Sequence, residues 1–282
     1  MNLKNIFKKE PLKNLNVEDL SGSLTQTEEL KFWKEYAELM TGKDRDTFLN
    51  LPLYQEELKA FKEFIEPKGG QRWLDIGCGA LPLTELIWQT SRGEVELWAG
   101  DIYLSPAQKR LEEIGNPSIK LKYLNLTKKL PFSDNFFDGI VAGKVLPYIP
   151  EFEGERGKEA LKGIFQEMFR VLKPGGVLVW SGAIKGMSRW QGVLTGLRYG
   201  FRHIRYLLNP YHWIKQRCFL PLSVIKIIKF FKPMEEKGKK GIYPFLSQKE
   251  YEDLLISIGF KNPEWKITFG RQVLVNKVNK LL

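Results

Sequence analysis

Two acids and two glycines carry the first legible chemistry of this chain. In "RWLDIGCGALPLTE" (72–85), Asp75 stands two residues before Gly77, and Gly79 follows. The run reads as a strand, a glycine turn and a helix, the layout of a nucleotide cradle. Glycines let the backbone turn and let a ligand approach without a Cβ in the way. Asp101 closes the next predicted strand, 24 residues after Gly77, where a carboxylate can accept both hydroxyls of a ribose.

Asp75 discriminates between ligands. A dinucleotide brings a pyrophosphate to such a turn, and a fixed carboxylate repels it. S-adenosylmethionine brings no phosphate but carries an ammonium and a sulfonium, which a carboxylate attracts. The turn therefore reads against a dinucleotide. Asp101 suits either ligand and leaves the choice open, and as a lone feature it is as often a loop or capping residue.

These residues need strands and helices to position them. From residue 72, short apolar strands alternate with helical patterns, the mark of a parallel sheet with crossover helices. Strands are predicted near 72–76, 95–100, 119–124, 138–142 and 176–181, and helices near 27–41, 52–66 and 156–172. In "SPAQKRLEEIG", Ser105 and Gln108 predict a capping box, Pro106 suits the first turn and Gly115 the stop. "KPGG" (173–176) predicts a sharp turn after the long helix. Ser247 and Glu250 predict a second capping box, with Gly259 ending that helix. Two last strands, near 264–269 and 272–278, are separated only by Gly270 and Arg271. That gap allows a hairpin and no crossover, so one of the two runs antiparallel.

The 282 residues, 43% of them hydrophobic, suffice for a sizeable core. Cys78 and Cys218 lie far apart with no disulfide or metal spacing, which favours a reducing compartment. The opening "MNLKNIFKKEPLKNLNVEDL" lacks the apolar run of a signal peptide, so the expected location is cytoplasmic. His203 and His212 have no acidic or cysteine company, and no metal site is expected.

The net charge of +11 is local. Residues 185–241 hold 13 Lys or Arg against Glu235 and Glu236, which accounts for the whole excess. No charge-free run there exceeds nine residues, far short of the ~20 needed to span a bilayer. Three readings fit this segment: a helical lid with solvated cations, an amphipathic contact with an anionic membrane, and an RNA contact. The aliphatic run "FLPLSVIKIIKFF" (219–231) favours lipid over RNA.

Four segments in order, "LDIGCG" (74–79), "GDIYLSP" (100–106), "LPFSDNFFDGIVAGKVLPYI" (130–149) and "EMFRVLKPGGVLVW" (167–180), resemble the class I S-adenosylmethionine-dependent methyltransferases of small molecules. "LSQKEYEDLLISIGF" (246–260) resembles the last helix of that family. The resemblance implies an α/β, Rossmann-like, doubly wound and mostly parallel seven-stranded sheet with one antiparallel strand. The expected parts are an N-terminal helical segment (1–66), a cofactor-binding core (67–184), a basic helical insertion (185–242) before the last helix, and the return of the core (243–282). It implies S-adenosylmethionine as cofactor. It places Asp75, Gly77, Cys78 and Gly79 on the methionyl side, Asp101 and Ile102 at the ribose, Asn125 and Leu126 at the adenine edge, and Ala142 and Gly143 beside the methyl.

Three positions depart from the family. Leu81 stands where glycine is frequent and is expected to narrow or shift the loop. Asn125 replaces a frequent acid yet can accept from the adenine amino group. Lys144–Tyr148 lacks a frequent histidine. Tyr148, Lys144 and Tyr36 are the substrate-side candidates, with bland readings as a packing residue, a solvated loop charge and part of an apolar helix face. None is assigned as an essential base, and the catalytic residues stay open. The expected function is methyl transfer to a small acceptor, lipophilic or membrane-associated, with peripheral contact at the inner face of a membrane through residues 185–241. The alternatives are a non-catalytic protein of the same fold docking on membrane or RNA, and an RNA methyltransferase.

Overall fold

The computed structural model describes residues 29, 31–35, 49, 52–115, 118–188, 190–192, 194–195 and 231–281. After helix α1 (Pro52–Phe64) come strand β1 (Arg72–Ile76), α2 (Pro82–Thr90), β2 (Glu96–Asp101), α3 (Ser105–Ile114), β3 (Lys120–Tyr123) and β4 (Phe137–Gly143). A single 3-10 turn (Leu146–Tyr148) and a small hairpin, β5 (Glu151–Phe152) with β6 (Glu155–Arg156), lead to α4 (Gly157–Val171). Then follow β7 (Leu172–Ala183), α5 (Gln248–Ile258), β8 (Phe260–Thr268) and β9 (Val273–Lys280).

The strands form one seven-stranded sheet in the order β3-β2-β1-β4-β7-β9-β8. Strands β1 to β4 and β7 pair in parallel, and β9 lies antiparallel between β7 and β8. The order reverses at β1 and β4, the point where a doubly wound sheet opens a crevice at the carboxyl ends of its strands. The expected hairpin closes the sheet through Gly270 and Arg271, both at positive φ.

The central strands are buried on both faces, as crossover helices require. Successive residues alternate between two apolar clusters. Leu74, Ile140, Leu178 and Trp180 pack with Leu161 and Phe165 of α4 and Leu255 of α5. Trp73, Val141, Val179 and Val275 pack on the other face with Phe61 and Phe64 of α1 and Ile87 of α2. Buried Asn276 of β9 ties three strands together. Its Oδ1 accepts from Trp180 Nε1 at 2.9 Å, and its Nδ2 donates to the Glu264 carbonyl at 3.0 Å.

Two local expectations are corrected. Ser105 is not an N-cap and forms no box with Gln108: α3 begins at Ser105 behind Leu104, which is already helical. Leu104 takes the cap position instead, its carbonyl accepting from Gln108 N–H at 2.9 Å. "KPGG" is not a free turn between helix and strand. It lies within β7 as an irregularity, between the pairings Phe137↔Leu172 and Gly139↔Val177. The box of Ser247 with Glu250 forms, and Gly259 ends α5 in the left-handed region. Among the described residues, no helix is long and apolar enough to cross a membrane. The ends of the basic segment are helical at 190–192, 194–195 and 231–239; its residues 196–230, with His203, His212 and Cys218, and Tyr36 lie outside the described residues.

Candidate active site

The site is built on the carboxyl ends of β1, β2 and β4. Ile76 pairs with Gly100 on one side and Ala142 on the other, so the turns after these strands converge. The Gly100 carbonyl accepts from both Gly77 N–H (2.8 Å) and Cys78 N–H (3.1 Å), tying the glycine loop to β2. Gly77 has φ 68°, and a Cβ there would sit 2.8 Å from Val145. At Gly79 a Cβ would meet nothing within 4 Å and would instead project into open space beside the loop.

That space belongs to a cavity of about 250 Å³. Asp75, Gly77, Cys78, Gly79, Asp101, Ile102, Asn125, Leu126 and Gly143 all line it. Ala142 does not: it is fully buried in the sheet, and the wall is taken up by Gly143 after it.

Asp75 is buried at the tip of β1, and its Oδ2 accepts from Thr84 Oγ1 at 2.5 Å. Its Oδ1 is buried with no hydrogen-bond partner. Burial pushes its carboxyl up to about 7, against the opposing pull of the Thr84 hydrogen bonds. Asp101 accepts from Tyr103 N–H through Oδ1 and from Gly79 N–H through Oδ2, each at 3.0 Å. Burial raises its carboxyl too, and these backbone donors restrain the rise. Burial and the neighbouring carboxylates raise the Cys78 thiol well above its usual range, which leaves it unreactive.

Two of the departures from the family take a different form in three dimensions. Leu81, expected to narrow or shift the loop, is not in the cavity wall. It holds the left-handed conformation that a glycine would supply (φ 67°) and turns its fully buried side chain into the α1–α2 cluster. A left-handed leucine costs roughly 1–2 kcal/mol, which burial worth about 1.5–3 kcal/mol offsets. Asn125 does not keep its carbonyl for a ligand. Its Oδ1 accepts from Thr127 N–H (3.0 Å) and Thr127 Oγ1 (2.8 Å), so the group left to present is the Nδ2 amide donor.

The cavity continues beyond the strand ends into an apolar chamber. Its wall comes from the N-terminal helical residues (Trp33), α1 (Tyr54), the 3-10 turn (Tyr148), helix 231–239 (Phe231, Met234) and the β8–β9 turn (Phe269). Tyr148 is buried and packs edge-on against Trp33 and Tyr243, as its packing reading expects. Lys144 is not a solvated loop charge. Its Nζ lies 2.5 Å from Glu57 Oε2 and 4.1 Å from the centre of the Tyr54 ring. At the far end, buried Glu29 accepts from Tyr243 OH at 2.7 Å and pairs with Lys237. Burial, with Glu29 beside it, drives the Tyr243 phenol above its usual range. Sequence reasoning missed Glu57, Glu29 and the chamber residues other than Tyr148. Glu57 is spaced like an ordinary polar residue of an amphipathic helix, and only the fold turns it inward.

Residues 74–180 match the family model described as a methyltransferase domain. Demethylmenaquinone methyltransferase of Oceanobacillus iheyensis is 24% identical over 207 residues, 72% of this chain and 75% of the relative. The enzyme of that name from Desulfitobacterium hafniense is 31% identical over 137 residues, 48% of this chain and about half of the relative (51%). Sterol 24-C-methyltransferase erg6 of Aspergillus fumigatus is 34% identical over 112 residues, 39% of this chain and 27% of that protein. Among solved structures, a SAM-dependent methyltransferase from Aquifex aeolicus superposes with a TM-score of 0.53 at 15% identity, covering 88% of this chain and 98% of that one. The [4+2]-cyclase SpnF superposes with a TM-score of 0.53 at 15% identity, covering 81% of each chain. The two structures speak for the fold alone, which hosts more than one chemistry. The matched domain carries the activity: the chain is a class I S-adenosylmethionine-dependent methyltransferase.

Proposed function

We propose that the chain transfers the methyl group of S-adenosylmethionine to a small lipophilic acceptor seated in the apolar chamber. The observation that carries this reading is one cavity that joins the strand-end acids to a wall of aromatic and methionine side chains. Relatives named for demethylmenaquinone and for a sterol, both lipophilic, support it. The non-catalytic and RNA readings draw no support from them, and Leu81, one ground for lost binding, keeps the loop's conformation.

Bound S-adenosylmethionine supplies a methyl on a cationic sulfur. Its transfer needs alignment more than acid or base, and alignment can supply on the order of 7–11 kcal/mol of the barrier. The residues fit this group. The orphaned Oδ1 of Asp75 is a partner for an ammonium, and the space beside Gly79 is one that a Cβ would fill. In this proposal Asp75 holds the ammonium and Asp101 the ribose. Gly77, Cys78, Gly79 and Ile102 shape the cradle around them. Asn125 and Leu126 border the base, and Gly143 borders the methyl, with Ala142 supporting it from the sheet. The chamber excludes water and orients the acceptor. Residues 185–241 bring the protein to an anionic membrane surface, where such an acceptor partitions.

Calorimetry tests the first claim. S-adenosylhomocysteine should bind the wild type, and Asp75→Ala should lower the affinity for S-adenosylmethionine by about tenfold or more. Absence of binding at millimolar concentration refutes the reading.

A further inference from the structure

We propose that the side-chain amide of Gln272 recognises the acceptor, donating to a neutral oxygen of carbonyl type on the apolar molecule, away from the atom that takes the methyl. The inference rests on the methyl-transfer reading and names the acceptor's chemical class. Gln272 belongs to the β8–β9 turn, between the cavity-wall residues Phe269 and Val273, and lines the cavity while only 4% exposed. A polar group so buried calls for partners.

One half of the amide has a partner and the other does not. Oε1 accepts from Ser188 N–H at 2.8 Å, which also fixes which end of the group is nitrogen. Among the described residues, Nε2 donates to none. Nor is it sealed in: the described side-chain atoms that are both enclosed and unpartnered are Asp75 Oδ1 and Trp265 Nε1. Nε2 therefore reaches open space, and the space that Gln272 lines is the cavity. Other polar side chains of that wall differ, since Trp33, Tyr54, Lys144 and Tyr148 are each engaged by a neighbour.

The donor is also held in place. The Gln272 backbone N–H donates to Thr268 O (3.2 Å), and its carbonyl accepts from Ile184 N–H (3.1 Å). A Cβ at Gly192 would stand 3.3 Å from Nε2, so the chain there backs the amide on one side. With Oε1 taken, the guest must accept a hydrogen bond, and a neutral amide asks for no charge on it. Register sets the distance. Gly143 pairs with Ser181 and Ser181 with Val275, and Gln272 lies three residues before Val275 on the crevice side, about 10 Å along the strand. The recognised oxygen is thus remote from the atom facing Gly143.

Two probes of one shape test this: 1-tetralone, which carries a carbonyl, and tetralin, which lacks it. Both are titrated against the full chain saturated with S-adenosylhomocysteine. In nuclear magnetic resonance spectra of wild type, assigned by triple resonance, the Gln272 side-chain amide protons should move downfield with 1-tetralone and not with tetralin. Gln272→Met removes the donor at nearly constant shape, and the ratio of 1-tetralone to tetralin affinity should fall by about fivefold. An amide signal that responds alike to both probes, or a ratio that stays within about twofold of wild type in Gln272→Met, overturns the inference. The first readout needs no variant. If S-adenosylhomocysteine binds and neither probe does, the lipophilic-acceptor reading falls and this inference with it. If S-adenosylhomocysteine itself does not bind, the methyl-transfer reading is the one that fails.

Discussion

Asp75 couples the cofactor to pH. Its folded pKa, about 7, lies above the ordinary 3.8, so the folded apo-protein holds a proton that the unfolded chain has released between those values. Its contribution to stability is therefore fullest below pH 4 and is lost as pH rises toward 7, by on the order of 4 kcal/mol. Asp75→Asn should flatten that slope in urea titrations between pH 4 and 8. Cofactor binding has the opposite sense, because the ammonium needs the ionised carboxylate. Affinity for S-adenosylhomocysteine should weaken by about tenfold per pH unit below 7 in wild type and lose that dependence in Asp75→Asn. Leu81 gives a second prediction at this scale. Leu81→Gly relieves the left-handed strain but empties a buried site, so it should cost about 1–2 kcal/mol net of stability. Cofactor affinity should stay within about threefold, because the residue is outside the cavity wall. A large gain in affinity would show that the loop is misshapen after all.

Among the elements, the antiparallel insertion of β9 holds the sheet's far half. Trp180, Asn276 and Trp265 are in register across β7, β9 and β8. Asn276→Leu strands the buried Trp180 indole N–H and removes the donor to the part-buried Glu264 carbonyl, at a cost of about 1–3 kcal/mol by chemical denaturation. S-adenosylhomocysteine affinity should be unchanged in the folded fraction, since none of these three residues lines the cavity. The elements around the crevice were legible in the sequence because their signals are local. Pro82 starts α2, Gly115 stops α3, and Ser247 with Glu250 caps α5. The start of α3 was not, because Leu104, which has no capping side chain, takes the cap position with its backbone carbonyl.

For the whole molecule, the proposed lipophilic acceptor raises the question of how it reaches the cavity. Residues 196–230 carry seven Lys or Arg and no acid, in a run dense with aromatic and aliphatic residues. The wild type should co-sediment with vesicles containing anionic lipid, and 0.5 M salt should weaken this, with a Debye length of about 4 Å. Deleting 196–230 should abolish sedimentation. Residues 231–239 are best left in place, because Phe231 and Met234 wall the chamber. Failure of the wild type to sediment at low salt removes the membrane claim and leaves the cavity reading intact.

The sequence by itself determined the sheet, the order of its elements and the acids at its crevice. Hydrophobic period, caps and glycine turns act over a few residues, and one face of each strand must be buried whatever the rest does. The charge of Asp75 already read against a dinucleotide. Only the tertiary structure assembled the apolar wall of the cavity. Trp33, Tyr54, Glu57, Phe231 and Phe269 come from stretches up to more than 200 residues apart, and none carries a local signature. Packing of α1 and the β8–β9 turn around the end of β4 makes Lys144 a cation held by Glu57 instead of a solvated one, and brings Trp33, Tyr54, Phe231 and Phe269 into one cavity wall.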